Sequence, residues 1–208
     1  MSAVQRQGGE EPARAVGGVI ERVIADVPAP RTHEMAYPDA AAHRIARNAA
    51  KRAALVSGSL ALPGGPLGLL TVLPDLYLIW NTQRQMVADI FAVYGRTAEL
   101  TRTHMLYCLF RHAASQVLRD VAVRSGQRFV VQQLGSRTLS SLAGRVGGVV
   151  SRRVAGSAAT RWIPIAGAAA VSAYAYWDTL QVAKTAQRLL AQAPAQPRAE
   201  ATAVVEDR

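Results

Sequence analysis

The sequence predicts an all-α fold: a single compact bundle of about five to six helices organised around central apolar helical hairpins. Three observations carry this. Half of the 208 residues are hydrophobic, with Ala, Val and Leu dominating and only 6% aromatic. Val and Ile fall at helical rather than alternating spacings. Pro and Gly cluster where such stripes stop, as turns between helices require. The length supports one domain with a real core.

Along the chain, 1–12 reads as a disordered N-terminal tail, 13–190 as the helical domain and 191–208, rich in Ala, Pro, Gln and Glu, as a second disordered tail. Val16, Val19, Ile20, Val23 and Ile24 form one helical stripe that Pro28 and Pro30 end. A linker follows to Pro38, after which Asp39 reads as the N-cap of a helix running toward Leu62. Arg44, Arg47 and Lys51 share a face of that helix, and with His43 and Arg52 they form the densest basic cluster in the chain.

The stretch from Ala53 to Leu73 holds no charged residue and is broken at its centre by Pro63, Gly64, Gly65 and Pro66. Each arm of roughly ten residues is about 15 Å of helix, half of a bilayer core of about 30 Å. Two readings stand: a hairpin dipping into one leaflet, or the buried central hairpin of a soluble bundle.

Asp75, as N-cap after Pro74, opens a helix to Tyr94, with Leu76, Ile79, Met86, Val87, Ile90, Phe91 and Tyr94 at core spacing and Gly95 as its stop. Another helix is expected from Thr97 to about Arg124. From Phe129 to Thr160, Ala143, Gly147, Ser151, Ala155 and Ala159 recur every fourth position, a spacing that lets helices approach closely. Arg145, Arg152, Arg153 and Arg161 argue against a membrane crossing there. A last helix runs from Pro164 to Leu190, and its apolar part, with Trp162, Tyr174, Tyr176 and Trp177 at the ends, is too short to span. Those aromatic rings suit interfacial anchoring and core packing equally. A loose echo of Val56, Gly58, Ser59, Pro63 and Trp80-Asn81-Thr82 in Val154, Gly156, Ser157, Pro164 and Trp177-Asp178-Thr179 reads as a pseudo-repeat of two hairpins, or as coincidence in a small-residue-rich chain.

A formal net charge of +10 points to an anionic partner. One cysteine, Cys108, excludes an internal disulfide framework and fits a reducing compartment. No apolar segment accompanies Arg6, Glu10, Glu11 and Arg14, so no secretory signal is expected and the chain is placed on the cytoplasmic side of the inner membrane. Phosphate loops, nucleophile elbows and two-histidine zinc motifs are absent from the sequence.

His104, Cys108 and His112 share one helix side, but successive steps climb about 6 Å, so one metal could hold only two of them. No metal, cofactor or catalytic residue is assigned. Asp75, Asp89, Asp120 and Asp178 lie beside apolar segments; capping and ion pairing account for most of them, with Arg96 the expected partner of Asp89 and Asp75 the candidate functional acid. The scattered Arg residues lack the interleaved aromatics of a nucleic-acid surface, and nucleic acid ranks last among partners.

Leu73-Pro74-Asp75-Leu76, Gln83, Gln85, Met86, Asp89-Ile90, Tyr94-Gly95 and Ile163-Pro164-Ile165-Ala166-Gly167-Ala168 together resemble the EcsC family over about 38–190. A related pattern is similar to the helical membrane domain attached to some small bacterial GTPases, whose GTPase portion this chain lacks. The resemblance implies an envelope or transport-associated context and supplies no catalytic residues. The family often shows Asn in the last helix after the Pro-Gly motif; here Ala173 to Trp177 precede Asp178.

The leading expectation is a bacterial membrane-associated protein, peripheral or partly inserted, that binds anionic lipid or a membrane complex. Its contact candidates are Arg44, Arg47, Lys51, Arg52, Leu62, Pro63, Leu67, Leu70, Trp162 and Trp177. The alternative is a soluble helical enzyme using a buried Asp or the His104 and Cys108 face.

Overall fold

The computed structural model describes residues 15–60, 72–111, 140–149 and 164–192. All regular structure among them is helical, with no strand. The α-helices are α1 (15–24), α2 (Pro38–Leu60), α3 (Val72–Val93), α4 (Arg102–Phe110), α5 (140–149) and α6 (Pro164–Gln192), and a 3-10 turn, Thr97–Glu99, joins α3 to α4.

The core is a three-helix unit of α2, α3 and α6, among which α2 and α6 share the largest interface. Ala41, Ala42, Ala46, Ala49, Ala50 and Ala53, with Ser57 one turn further on, give α2 a buried face of small side chains, which lets its neighbours approach closely. Larger side chains fill the space from α3 and α4: Met86, Val87, Ile90, Phe91, Met105, Leu106 and Phe110 are fully or nearly fully buried. Trp80 meets Phe110 edge to face, with centroids 4.9 Å apart. Burying such side chains contributes about 1.5–3 kcal/mol each, the dominant favourable term in the bundle.

All five residues of the expected α1 stripe are buried, and α1 ends against α3, where Arg84 donates to the Val23 carbonyl at 3.0 Å and faces Asp26 at 3.5 Å. A guanidinium at a helix C-terminus satisfies an orphan carbonyl and complements the dipole. On its other side α1 lies on α5 so closely that a Cβ on Gly17 would sit 3.4 Å from Gly144 Cα. The small-residue region therefore packs within the bundle over 140–149; Ser151, Ala155 and Ala159 lie outside the described residues.

The linker is strapped along α3. Met35 N donates to the Val93 carbonyl at 3.1 Å, Arg31 N to Asp89 Oδ1 at 2.7 Å, and Gln85 Nε2 to the Ala29 carbonyl at 3.0 Å.

Several boundaries differ from expectation. The helix α2 starts at Pro38, whose fixed φ suits a first helical position, so Asp39 lies inside the first turn instead of capping it. Likewise α3 starts at Val72, three residues before Asp75, because a proline at the third helical position removes only an N–H that has no intrahelical partner there. Asp75 is thus no N-cap. The single helix expected after Thr97 is divided: Leu100 and Thr101 are extended, and the Thr101 side chain accepts from His104 N to start α4 afresh. At its end α6 continues through Gln192, two residues into the expected tail. Gly95 stops α3 as expected, with φ +70, a conformation costly for a residue bearing a Cβ.

Candidate membrane-docking surface

Among the described residues, no helix is long and apolar enough to cross a membrane. What the structure does place together is a basic face and an apolar collar. On α2, Arg44, Arg47, Lys51 and Arg52 are all exposed, opposite the alanine face, and Asp39 is the only acidic residue of that helix. Leu55, 74% exposed, continues the stripe one turn further.

Around Leu55 other helices also expose large apolar groups. Tyr77 and Leu78 on α3 and Tyr174 and Trp177 on α6 are 41% to 57% exposed. Tyr174 and Trp177 form a tilted ring pair with centroids 6.1 Å apart. Of the rings that the sequence offers for interfacial anchoring, Tyr174 and Trp177 are exposed. Leu55, Tyr77 and Leu78 escaped sequence reading, although the core spacing of Leu76, Ile79 and Met86 already turns residues 77 and 78 outward. Leu62, Pro63, Leu67, Leu70 and Trp162 lie outside the described residues, and of Asp75 the backbone alone is described.

The collar and the basic face are brought to one end of the bundle by packing. Gly58 on α2 lies against α6 at Ser172, where any Cβ would overlap Ser172 Oγ. Gln83 on α3 donates through Nε2 to Asp178 Oδ2 at 2.8 Å and to Thr179 Oγ1 at 3.2 Å on α6. At the opposite end, Tyr94 on α3 donates to Asp39 on α2, and Arg96 donates to the Leu190 carbonyl on α6. The C-terminal half of α2 and the N-terminal halves of α3 and α6 therefore share one end.

The candidates for chemistry are occupied structurally. His104 Nδ1 lies 2.8 Å from the Glu99 carbonyl and 3.4 Å from Thr101 N; it cannot donate to one while accepting from the other, and the shorter contact assigns Nδ1–H to the carbonyl. Its ring stacks on Phe91. Cys108 is fully buried, and burial pushes its thiol pKa up, away from the reactive thiolate, with Arg111 opposing weakly. Among the described residues no three His, Cys, Asp or Glu side chains converge as a metal would need. His112 and Asp120 lie outside them.

Asp89, 9% exposed, is held by Arg31 N and by Gln85 Nε2 at 3.1 Å. The expected Asp89–Arg96 pair gives way to a two-pronged Arg96–Glu99 pair, because Gly95 turns the chain and brings Arg96 beside the 3-10 turn.

An open cleft of about 420 Å³ lies at the far end, lined by Asp39, Tyr94, Arg96, Lys184, Gln187 and Arg188 among others. Burial and the hydrogen bond to Asp39 raise the Tyr94 pKa from 10.0 to about 12, with a hydrogen bond from Gln187 opposing, so the phenol stays protonated at neutral pH. Neither Asp89, Asp178, His104 nor Cys108 lines that cleft. No protein-family model matches this chain, and neither a curated protein nor a solved structure matches it.

Proposed function

We propose that the protein is a peripheral or partly inserted membrane protein that docks on an anionic bilayer surface, on the cytoplasmic side. The observation that carries this reading is the exposed basic face of α2, which runs without an intervening acid into the uncharged stretch 53–73. Four basic side chains near an anionic leaflet contribute about 1 kcal/mol each. Asp75, the only charge between Ala53 and Tyr77, opposes this by about 2.5–3.5 kcal/mol if carried ionised to the bilayer centre, and by less at the interface. Electrostatics alone thus roughly balances the acid at worst, and the exposed apolar side chains shift the sum toward binding.

The residues that resemble the EcsC family support an envelope or transport-related setting, with a membrane complex as the alternative anchor. Within this chain those residues have packing duties: Gln83 and Gln85 join helices and linker, Tyr94 ties α3 to α2, and Gly95 ends α3. The soluble-enzyme reading draws no support from His104 and Cys108, which a cap and the core already occupy.

Fractionation of the protein expressed in a bacterial host tests the proposal. Recovery in the membrane pellet is expected, with partial release by high salt and complete release by detergent. Recovery wholly in the soluble fraction, at low salt, would remove the reading.

A further inference from the structure

The docking reading leaves the orientation open: the bundle could lie on its side along the basic α2 face, or stand with one end in the leaflet. The cross-bundle contacts bear on this, because they fix the heights of residues on three helices relative to one another. Gln83 opposite Asp178 ties α3 to α6, and Gly58 opposite Ser172 ties α2 to α6. With a rise of 1.5 Å per residue, Arg52, Arg84 and Asp178 then fall within about 2 Å of one height. Arg52 and Asp178 are the charged residues nearest the described apolar parts of their helices, 53–58 on α2 and 169–177 on α6, and on α3 the uncharged segment 76–83 lies between Asp75 and Arg84.

Directly beyond that boundary, within about 10 Å along the axis, come Leu55, Tyr77, Leu78, Tyr174 and Trp177, all exposed. A contact for a protein partner or a second copy gathers its apolar groups on one side. Here they come from three helices within one band about 8 Å tall, with Tyr and Trp among them. These are the residues that prefer the boundary between headgroups and acyl chains, apolar in body and hydrogen-bonding at the edge.

Resting on the docking reading, we infer that the bundle enters an anionic leaflet end-on, to the depth of this collar. Leu55, Tyr77, Leu78, Tyr174 and Trp177 lie at the headgroup–acyl boundary, and Lys51 and Arg52 lie among the phosphates. From the collar, α2 continues for about 8 Å to Leu60, α3 for a similar distance to Val72 and α6 for about 15 Å from Tyr174 to Pro164. The longest of these matches the roughly 15 Å of one leaflet's hydrocarbon. Along their length the helices keep their backbone hydrogen bonds inside themselves, and only the first-turn N–H groups of α3 and α6 and the last-turn carbonyls of α2 need partners there.

Site-directed labelling of the full chain tests this, since the native thiol is buried and silent. Leu55→Cys, Tyr77→Cys and Trp177→Cys probe the collar, while Asn48→Cys and Arg188→Cys probe below it. Each carries an environment-sensitive fluorophore and is mixed with vesicles of phosphatidylcholine and phosphatidylglycerol, with nitroxide quenchers placed shallow or deep in the acyl chain. Sedimentation is followed in parallel.

The expected result is a blue shift at all three collar sites, quenched more by shallow than by deep nitroxide, with no shift at positions 48 and 188. A shift at positions 48 and 55 without one at 77 and 177 would overturn end-on entry in favour of side-on docking. A collar shift that appears without lipid at high protein concentration would overturn it in favour of self-association. Sedimentation with vesicles but no shift anywhere would also overturn it while leaving docking intact, whereas failure to sediment would remove the docking reading itself.

Discussion

Gln83 and Asp178, 95 positions apart in the chain, meet at 2.8 Å in the middle of the bundle and set the register of α3 on α6. Gln83 is fully buried, and its Oε1 has no hydrogen-bond partner among the described residues. An unpartnered buried acceptor costs about 1–3 kcal/mol, partly offsetting the two bonds that Nε2 makes. Gln83→Ala removes those bonds and leaves a cavity, and is expected to cost about 2–4 kcal/mol. Gln83→Leu sheds the unpartnered oxygen and keeps most of the volume, so it is expected to cost less, about 1–2 kcal/mol. Urea denaturation of both variants checks the order; equal losses would mean that the volume at position 83 contributes nothing and that the lost hydrogen bonds account for the whole cost.

The approach of α2 to α6 at Gly58 gives a second prediction. A methyl group there overlaps Ser172 Oγ, a clash of the kind that costs about 1–3 kcal/mol, against a gain of up to about 1 kcal/mol in helix propensity. Gly58→Ala is expected to destabilise, and Ser172→Ala in the same chain is expected to restore most of the loss. A double variant no more stable than Gly58→Ala would show that α2 and α6 do not meet there.

Tyr94 makes stability fall at alkaline pH. Its folded-state pKa lies at about 12 against an ordinary 10.0, so between these values the unfolded chain has released a proton that the folded chain retains. The contribution is fully present below pH 10 and is lost as pH rises through this window. Tyr94→Phe is expected to flatten that part of the stability profile, measured by thermal unfolding across alkaline pH. Correspondingly, one tyrosine of the six is expected to ionise late in a spectrophotometric titration.

Cys108 offers a probe of core opening. Its buried thiol is expected to ignore a thiol-specific reagent in the folded protein and to react fully in denaturant, at a native-state rate set by opening of the core around α4. Rapid labelling of the folded protein would contradict the packing of Cys108 against its neighbours.

Much of the fold is legible in the sequence because it rests on a single helical period. The α1 stripe from Val16 to Ile24, the α3 stripe through Met86, Val87, Ile90 and Phe91, and the Gly95 stop each follow from local spacing and the conformational freedom of one glycine. Prolines misled the reading of helix starts, since Pro38 and Pro74 lie within first turns that tolerate them. The candidate surface was half legible. Charge marked Arg44, Arg47, Lys51 and Arg52, but Leu55, Tyr77 and Leu78 read as ordinary apolar residues. The spacing of Leu76, Ile79 and Met86 turns Tyr77 and Leu78 outward, but that they gather with Leu55 at one end of the bundle depends on how α2, α3 and α6 meet, a relationship set by contacts such as Gln83–Asp178 that no local window contains.

The most direct test of the account is sedimentation of the purified full chain with vesicles of phosphatidylcholine alone and of phosphatidylcholine with phosphatidylglycerol, across a range of salt. The wild type is expected to sediment with the anionic vesicles and to weaken as salt shortens the Debye length from about 10 Å at 0.1 M to about 3 Å at 1 M. A chain with Arg44, Arg47, Lys51 and Arg52 all changed to Gln is expected to bind at least about tenfold more weakly, given about 1 kcal/mol per basic residue. Failure of the wild type to sediment with anionic vesicles, or equal binding by wild type and variant, would contradict the account.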